Sequence, residues 1–337
     1  MRRTATRLAD GRELVYFDDL DYGRVPRQDT RELEVRPIQA GLRWDPLTAE
    51  PVTVAAHRQT RTFLPSAAEC PLCPGGEIPD ARFDVAVFEN RWPSFSGLAE
   101  GRPEVAAGRC EVLVFTDRHD GSLRELGAER ARTVVEAWTD RSATLHQHPD
   151  IRYVACFENR GEDSGVTLHH PHGQIYGYPF VPPVIARIAD TAKDQPDLFQ
   201  RVLAAELSGP RVVVADEHWV GYVPEAARWP YELILMPRHH IATLEETEPA
   251  ERASLSALLP EVLSRFDRLF DMDVPYIAGW RQSPRDSHDI RLHWRVFTPQ
   301  RAAGRLKHLA GSETAYGAYI NDVSPEDAAA ALRRAAP

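Results

Sequence analysis

The sequence predicts an α+β fold built twice, with antiparallel sheets carrying packed helices and the two copies joined as pseudo-repeats. Three observations predict it. A weak internal repeat runs through the chain: RWPSF at 91–95 recurs as RWPYE at 228–232, and YVACFENR at 153–160 recurs as YIAGWRQS at 276–283. In each copy an apolar strand ends in an Arg-His pair, at Arg118 and Arg238 (238 − 118 = 120), and a helix signal follows. Finally, each copy carries one helical apolar stripe. The first holds Ala131, Val134, Val135, Trp138 and Leu145; the second holds Leu255, Leu258, Leu259, Val262, Phe266, Leu269 and Phe270. The halves are expected to divide at 1–185 and 186–337, with a short helix over 197–207 between them.

Composition bounds the function. The 337 residues are 43% hydrophobic and 27% charged, enough for a large core. A net charge of −10 without a basic block argues against nucleic acid, which needs a cationic surface. No stretch approaches the roughly 20 apolar residues of a membrane span, and no apolar run follows the basic N-terminus as a secretory signal would require. Four cysteines in a chain this long are no disulfide framework. A cytoplasmic protein is expected.

Residues 1–40 are charged and aperiodic and predict a surface arm. At 43–63, Asp45-Pro46 marks a turn and Val52, Val54 and Ala56 alternate as in a strand; Arg58 and Arg61 follow as a basic pair. Cys70 and Cys73 form a C-x-x-C pair, either a redox dithiol or half of a zinc site. The Pro- and Gly-rich flank disfavours the redox context, and His119 and His170 are the best further ligands. Cys110 and Cys156 lie in apolar strands and read as core thiols. FDVAVFEN (83–90) and CEVLVF (110–115) predict neighbouring antiparallel strands. Pro260 is expected to bend the second long helix. Ser324, Pro325 and Asp327 begin a capped C-terminal helix.

The richest stretch is TLHHPHGQIYGYPFVP, 167–182. His169, His170 and His172 fall within four residues. In a strand His170, His172 and Gln174 would share one face, with Pro171 at the strand end. Imidazole can act as nucleophile, base or ligand near neutral pH, and a carboxamide can donate to an oxyanion without adding charge.

HPHGQ followed by an aromatic strand resembles the active-site signature of the galactose-1-phosphate uridylyltransferase family, in the histidine-triad superfamily. The resemblance extends from Asp45 to Glu313, and includes the DPLT…HR…R segment and the C-x-x-C pair. It implies a duplicated histidine-triad-like unit and a zinc ion held structurally by Cys70, Cys73, His119 and His170. It implies Arg58 and Arg61 near the nucleotide phosphates, Asn90 and Trp92 near uridine, and Asn159, Gly165 and Thr167 against phosphates and ribose. Lys307 and Glu313 match a K-x-x-x-G-x-E segment that binds the hexose 1-phosphate. Some relatives hold a second metal, but the matching positions here are Ile188, Arg281 and Arg295 with His293 alone remaining, so no second metal is expected. In the repeat His293 matches His170 and Arg295 matches His172, so the second half has lost the nucleophile. The implied reaction is ping-pong transfer of UMP between UDP-glucose and galactose 1-phosphate. His172 would carry the uridylyl group, Gln174 would donate to a phosphate oxygen, and a homodimer is implied. Two other readings fit parts of the pattern: a nucleotidyltransferase or phosphorylase acting on an ADP-sugar or dinucleoside polyphosphate, and a non-enzymatic zinc-stabilised nucleotide-binding module.

Overall fold

A computed structural model describes residues 1–33, 40–60 and 62–337, with Thr60 described by its backbone alone. Arg61 lies outside the described residues. In chain order the strands and helices are β1 (Arg2–Arg7), β2 (Glu13–Asp18), β3 (Gly41–Trp44), β4 (Pro51–Val54), β5 (Val85–Glu89), β6 (Arg109–Val114), α1 (Leu123–His146), β7 (Tyr153–Arg160) and β8 (His172–Tyr178). Then come α2 (Pro183–Asp194), α3 (Leu198–Leu207), β9 (Val212–Ala215), β10 (Trp219–Tyr222), β11 (Tyr231–Pro237), α4 (Pro249–Phe270), β12 (Tyr276–Arg281) and β13 (His293–Thr298). A small hairpin, β14 (Gln300–Ala302) and β15 (Arg305–Leu306), precedes α5 (Gly311–Tyr316) and α6 (Pro325–Arg334).

Eleven strands make one sheet in the order β1-β2-β5-β6-β8-β7-β12-β13-β11-β10-β9. Its centre is symmetric: β6-β8-β7 in the first half faces β12-β13-β11 in the second. The α1 and α4 helices lie together on one face, and their apolar stripes meet in one large core. Trp138 and Trp219 both pack edge-on against Trp280, at 6.2 and 6.1 Å between ring centres. Gln282 crosses between the halves to Ser142 Oγ and the Val154 carbonyl, each at 2.9 Å. The α4 helix runs through Pro260 without interruption.

Strand register corrects the repeat at one place. Gln174 lies opposite Val112 and Phe157, and Phe297 lies opposite Glu232 and Ile277. The equivalent residues are therefore Val112 and Glu232 (232 − 112 = 120), Phe157 and Ile277 (277 − 157 = 120), and Gln174 and Phe297 (297 − 174 = 123). Matching Tyr153 to Tyr276 shifts β7 by three residues. An odd shift there puts Phe157, on the open face, against Trp280, on the core face. The matches of His172 to Arg295 and His170 to His293 stand.

The expected arm at 1–40 is in part wrong. β1 and β2 form a hairpin paired onto β5. In β2, Val15 and Phe17 enter the α1 core, while Leu14 and Tyr16 enter a second core with Cys70, Leu72 and Phe83. A strand covered on both faces shows a continuous apolar run with no alternation. β1 is a polar edge strand, RRTATR, of the kind that blunts edge pairing. In the β3–β4 hairpin the alternation of Val52 and Val54 is real, but both side chains are exposed.

Candidate active site

Strand β8 begins at His172, just after Pro171, whose carbonyl accepts from the Phe115 N–H at 3.1 Å. From there His172, Gln174 and Tyr176 alternate on the open face. His170 precedes the strand and does not share that face; it turns into the Cys70–Cys73 cluster and is 1% exposed. Gly173 points the other way and is hemmed in. A Cβ there would sit 3.0 Å from the Phe157 carbonyl oxygen and 3.2 Å from the Phe115 ring.

Hydrogen bonds decide the state of each imidazole. His172 Nδ1 lies 2.7 Å from the His170 carbonyl, which can only accept, so Nδ1 carries the proton and Nε2 keeps its lone pair. Burial lowers the basicity of His172, which keeps it neutral. His170 Nε2 donates to the Thr116 carbonyl at 2.8 Å, leaving Nδ1 free toward Cys73 Sγ (3.5 Å) and Cys70 Sγ (3.8 Å). His119 Nδ1 is 3.4 Å from Cys73 Sγ. One donor atom from each of Cys70, Cys73, His119 and His170 lies within 4.8 Å of the others. Two thiols and two imidazoles fit a tetrahedral zinc-type site. Burial, and then the neighbouring Cys70, raise the Cys73 thiol to about 11, the state that a bound dication reverses.

Two cavities meet at His172. The larger, about 580 Å³, runs past Arg118, Arg160 and His169. The other, about 560 Å³, is walled by Arg58, Asn90 and Trp92 on one side and by Gly165, Thr167 and Gln174 on the other. Asn159 lines both. The structure thus brings together every described residue of the expected nucleotide site. Asn90 Oδ1 accepts the Trp92 N–H at 2.8 Å, and Arg58 Nη1 donates to the Trp92 carbonyl at 2.7 Å. Gly165 is left-handed at φ 77°, which suits glycine at the mouth of this wall.

Lys307 and Glu313 do not join them. Lys307 is buried, donates to the Arg228 carbonyl at 3.0 Å and to the Ile320 carbonyl, and lies 3.6 Å from Glu313. Neither residue lines the two cavities at His172 within one chain.

Two contributors are not among the residues marked by the sequence pattern above. Tyr176 donates its hydroxyl to Gln174 Oε1 at 3.0 Å, which fixes the amide with its NH₂ available to a ligand. The alternation that selects Gln174 reaches Tyr176 two residues later and could have found it. Glu77, nearly buried in the second cavity, pairs with Arg12 at 2.6 Å and Arg91 at 3.4 Å. Nothing local in the sequence marks that network.

Burial also sets a pH dependence. It lowers His293, which lies away from the cysteine cluster, to about 4. That imidazole therefore binds fewer protons folded than unfolded between its folded value and about 6.5. Stability should be full above about pH 6.5 and fall as the pH drops toward 4. A shift like that of His293 corresponds to about 3 kcal/mol when fully expressed. Urea midpoints at pH 7.5 and 5 check it; an unchanged midpoint contradicts it.

Residues 36–182 match the family model of the galactose-1-phosphate uridyl transferase N-terminal domain, and 192–334 match that of its C-terminal domain. A galactose-1-phosphate uridylyltransferase of Streptomyces lividans is 40% identical across 100% of this chain and 98% of its own. One of Thermotoga maritima is 37% identical across 87% and 97%. A solved uridylyltransferase structure superposes with a TM-score of 0.80 at 30% identity, covering 88% of this chain and 98% of that one. An Arabidopsis thaliana ADP-glucose phosphorylase with bound ADP-glucose gives 0.71 at 25% identity, covering 87% and 98%.

Proposed function

The chain belongs to the galactose-1-phosphate uridylyltransferase family, and from that premise we propose that His172 is the residue that carries the uridylyl group. It is a uridylyltransferase enzyme. The observation that carries the proposal is the His172 tautomer: a neutral ring with Nδ1–H tied to a carbonyl and Nε2 free at the junction of two cavities. Nε2 attacks the α-phosphorus of UDP-glucose. The bond from that phosphorus to the bridging oxygen breaks, and glucose 1-phosphate leaves. A phosphate oxygen of galactose 1-phosphate then attacks the same phosphorus and breaks the P–N bond, giving UDP-galactose. Neutral imidazole suits both steps, because it attacks without losing a proton first and departs readily.

Gln174, clamped by Tyr176, presents its NH₂ to a non-bridging oxygen as charge builds there, and Arg58 balances the phosphate charge. Losing one such donor costs about 100- to 1,000-fold, so Gln174→Ala should be slowed by that much in kcat. Tyr176→Phe removes only the clamp and should cost about 5- to 10-fold. Single-turnover rates of adduct formation check both, and equal losses would remove the clamp from the account.

The Cys70, Cys73, His119 and His170 group would hold a zinc ion. With four protein ligands it would brace the fold and offer substrate no open position. The chain's own geometry couples this site to the nucleophile, since His170 supplies both a ligand atom and the carbonyl that sets His172. A homodimer follows from the family resemblance, and sedimentation tests it. No helix among the described residues is long and apolar enough to cross a membrane; the family resemblance supports a cytoplasmic site of action.

Intact mass after separate incubation with UDP-glucose and ADP-glucose tests the function. A gain of one uridylyl group on His172, from UDP-glucose alone, is expected. An adenylyl adduct formed in preference would transfer the chain's substrate to the ADP-sugar alternative, which the more distant phosphorylase likeness supports less well.

A further inference from the structure

The second half keeps a cavity where the first half keeps its nucleophile. The open face of β10, β11, β13 and β12 is roofed by α2 and α3, and about 310 Å³ remains between them. The roof and one wall are apolar: Ile188, Phe199 and Val202 stand over Tyr222, Ile234 and Met236. The other wall is cationic. Arg281 lies opposite His293, and Arg295 lies opposite Gly279, so the two arginines occupy diagonal positions on one face, about 7–8 Å apart. Arg228 enters from the turn before β11, its guanidinium 4.6 Å from the Tyr319 ring centre.

One carboxylate answers these charges. Buried Glu232 pairs with Arg295. The Arg281 guanidinium makes no hydrogen bond or ion pair with any described residue, although burial, and then the Arg228 charge, push it below the ordinary arginine range. His293 adds no charge, being neutral with Nδ1 donating to the Arg291 carbonyl at 2.8 Å. A sheltered cation without a partner is costly unless an anion completes it. In a chain of net charge −10, this local excess of arginine runs against the whole.

We propose that this cavity binds a small phosphate-bearing anion, gripped by Arg281 and Arg228 with the Arg295–Glu232 pair behind them. Guanidinium forks match phosphate oxygens in pairs. They are poor nucleophiles at any physiological pH, so the half that has Arg295 in place of His172 keeps binding without transfer. The volume separates this ligand from the substrate. About 310 Å³ is little more than half the 560 Å³ beside Gln174, enough for inorganic phosphate or a sugar monophosphate and too small for a nucleotide sugar.

Calorimetric titration of the full chain with inorganic phosphate, and separately with galactose 1-phosphate, tests the site through the difference between wild type and Arg281→Met. The wild type should show a phosphate site that Arg281→Met weakens about 10- to 100-fold, the worth of one or two charge-assisted hydrogen bonds. Uridylyl-adduct formation should be the same in both proteins. Melting provides a second signature. Without phosphate, Arg281→Met should melt above wild type, because an unpartnered charge is gone, while phosphate should raise wild type more than the variant. Should Arg281→Met not fold, Arg281→Lys keeps the charge, loses the fork, and should weaken phosphate binding. Identical isotherms in wild type and variant overturn the site. So does retained phosphate binding with altered sedimentation, which would make a carboxylate of a second copy the partner of Arg281. Tighter binding of galactose 1-phosphate than of phosphate at the Arg281-dependent site identifies the sugar ester as its occupant; equal binding identifies free phosphate.

Discussion

His172→Ala is expected to form no uridylyl adduct and to exchange no label between glucose 1-phosphate and UDP-glucose. Removing a covalent nucleophile commonly costs on the order of 10⁴- to 10⁶-fold, because no other group stands at the same place. Here the neighbours confirm that isolation: His170 is turned into the cysteine cluster with Nε2 donating to Thr116, and His169 is on the surface facing Glu162 at 3.4 Å. Neither can replace Nε2 of His172. His172→Gly leaves the His170 carbonyl in place as an acceptor, so added imidazole should bind there in the same tautomer and restore part of the rate. A uridylyl adduct on the alanine variant, or initial rates that converge in a ternary-complex pattern instead of running parallel, would sink the mechanism.

Cys73→Ala is the second large effect. Structural metal binding is folding free energy, so losing one of four ligands should cost several kcal/mol and release the ion. The cluster lies beside the core of Leu14, Tyr16, Leu72 and Phe83, which anchors the N-terminal hairpin. That hairpin should therefore lose amide-exchange protection before the α1–α4 core does. Adduct formation should fall as well, because the His170 carbonyl would no longer be held against His172. Metal content and melting of Cys73→Ala and His119→Ala are the measurements. Full retention of one equivalent by both variants would remove the site, and unaltered adduct rates in chelator-stripped, folded protein would remove its coupling to the nucleophile.

Much of the site was legible because its chemistry is local. Alternation after Pro171 put His172 and Gln174 on one face, and Asn159 near the end of β7 and the loop residues Gly165 and Thr167 lie close before them. The long helices announced themselves by their stripes. Elements with no periodic signature were not legible. β2 is buried on both faces, β1 is a polar edge, and Glu77 meets Arg12 across 65 positions of sequence.

The sequence by itself determined the chemistry available: an imidazole capable of nucleophilic attack near neutral pH, a carboxamide, two thiols and two imidazoles of metal-ligand type, and a second copy whose corresponding residue is arginine. Tertiary structure alone decided how those groups are used. It set the His172 tautomer through a backbone carbonyl, which every residue possesses and no sequence can single out. It brought Cys70 to His170 across 100 positions, moved β7 three residues along its repeat, and buried Lys307 against Glu313 away from His172. Side-chain type and period are written residue by residue. Register, tautomer and the company of a buried charge belong to surfaces that exist only once distant strands have paired.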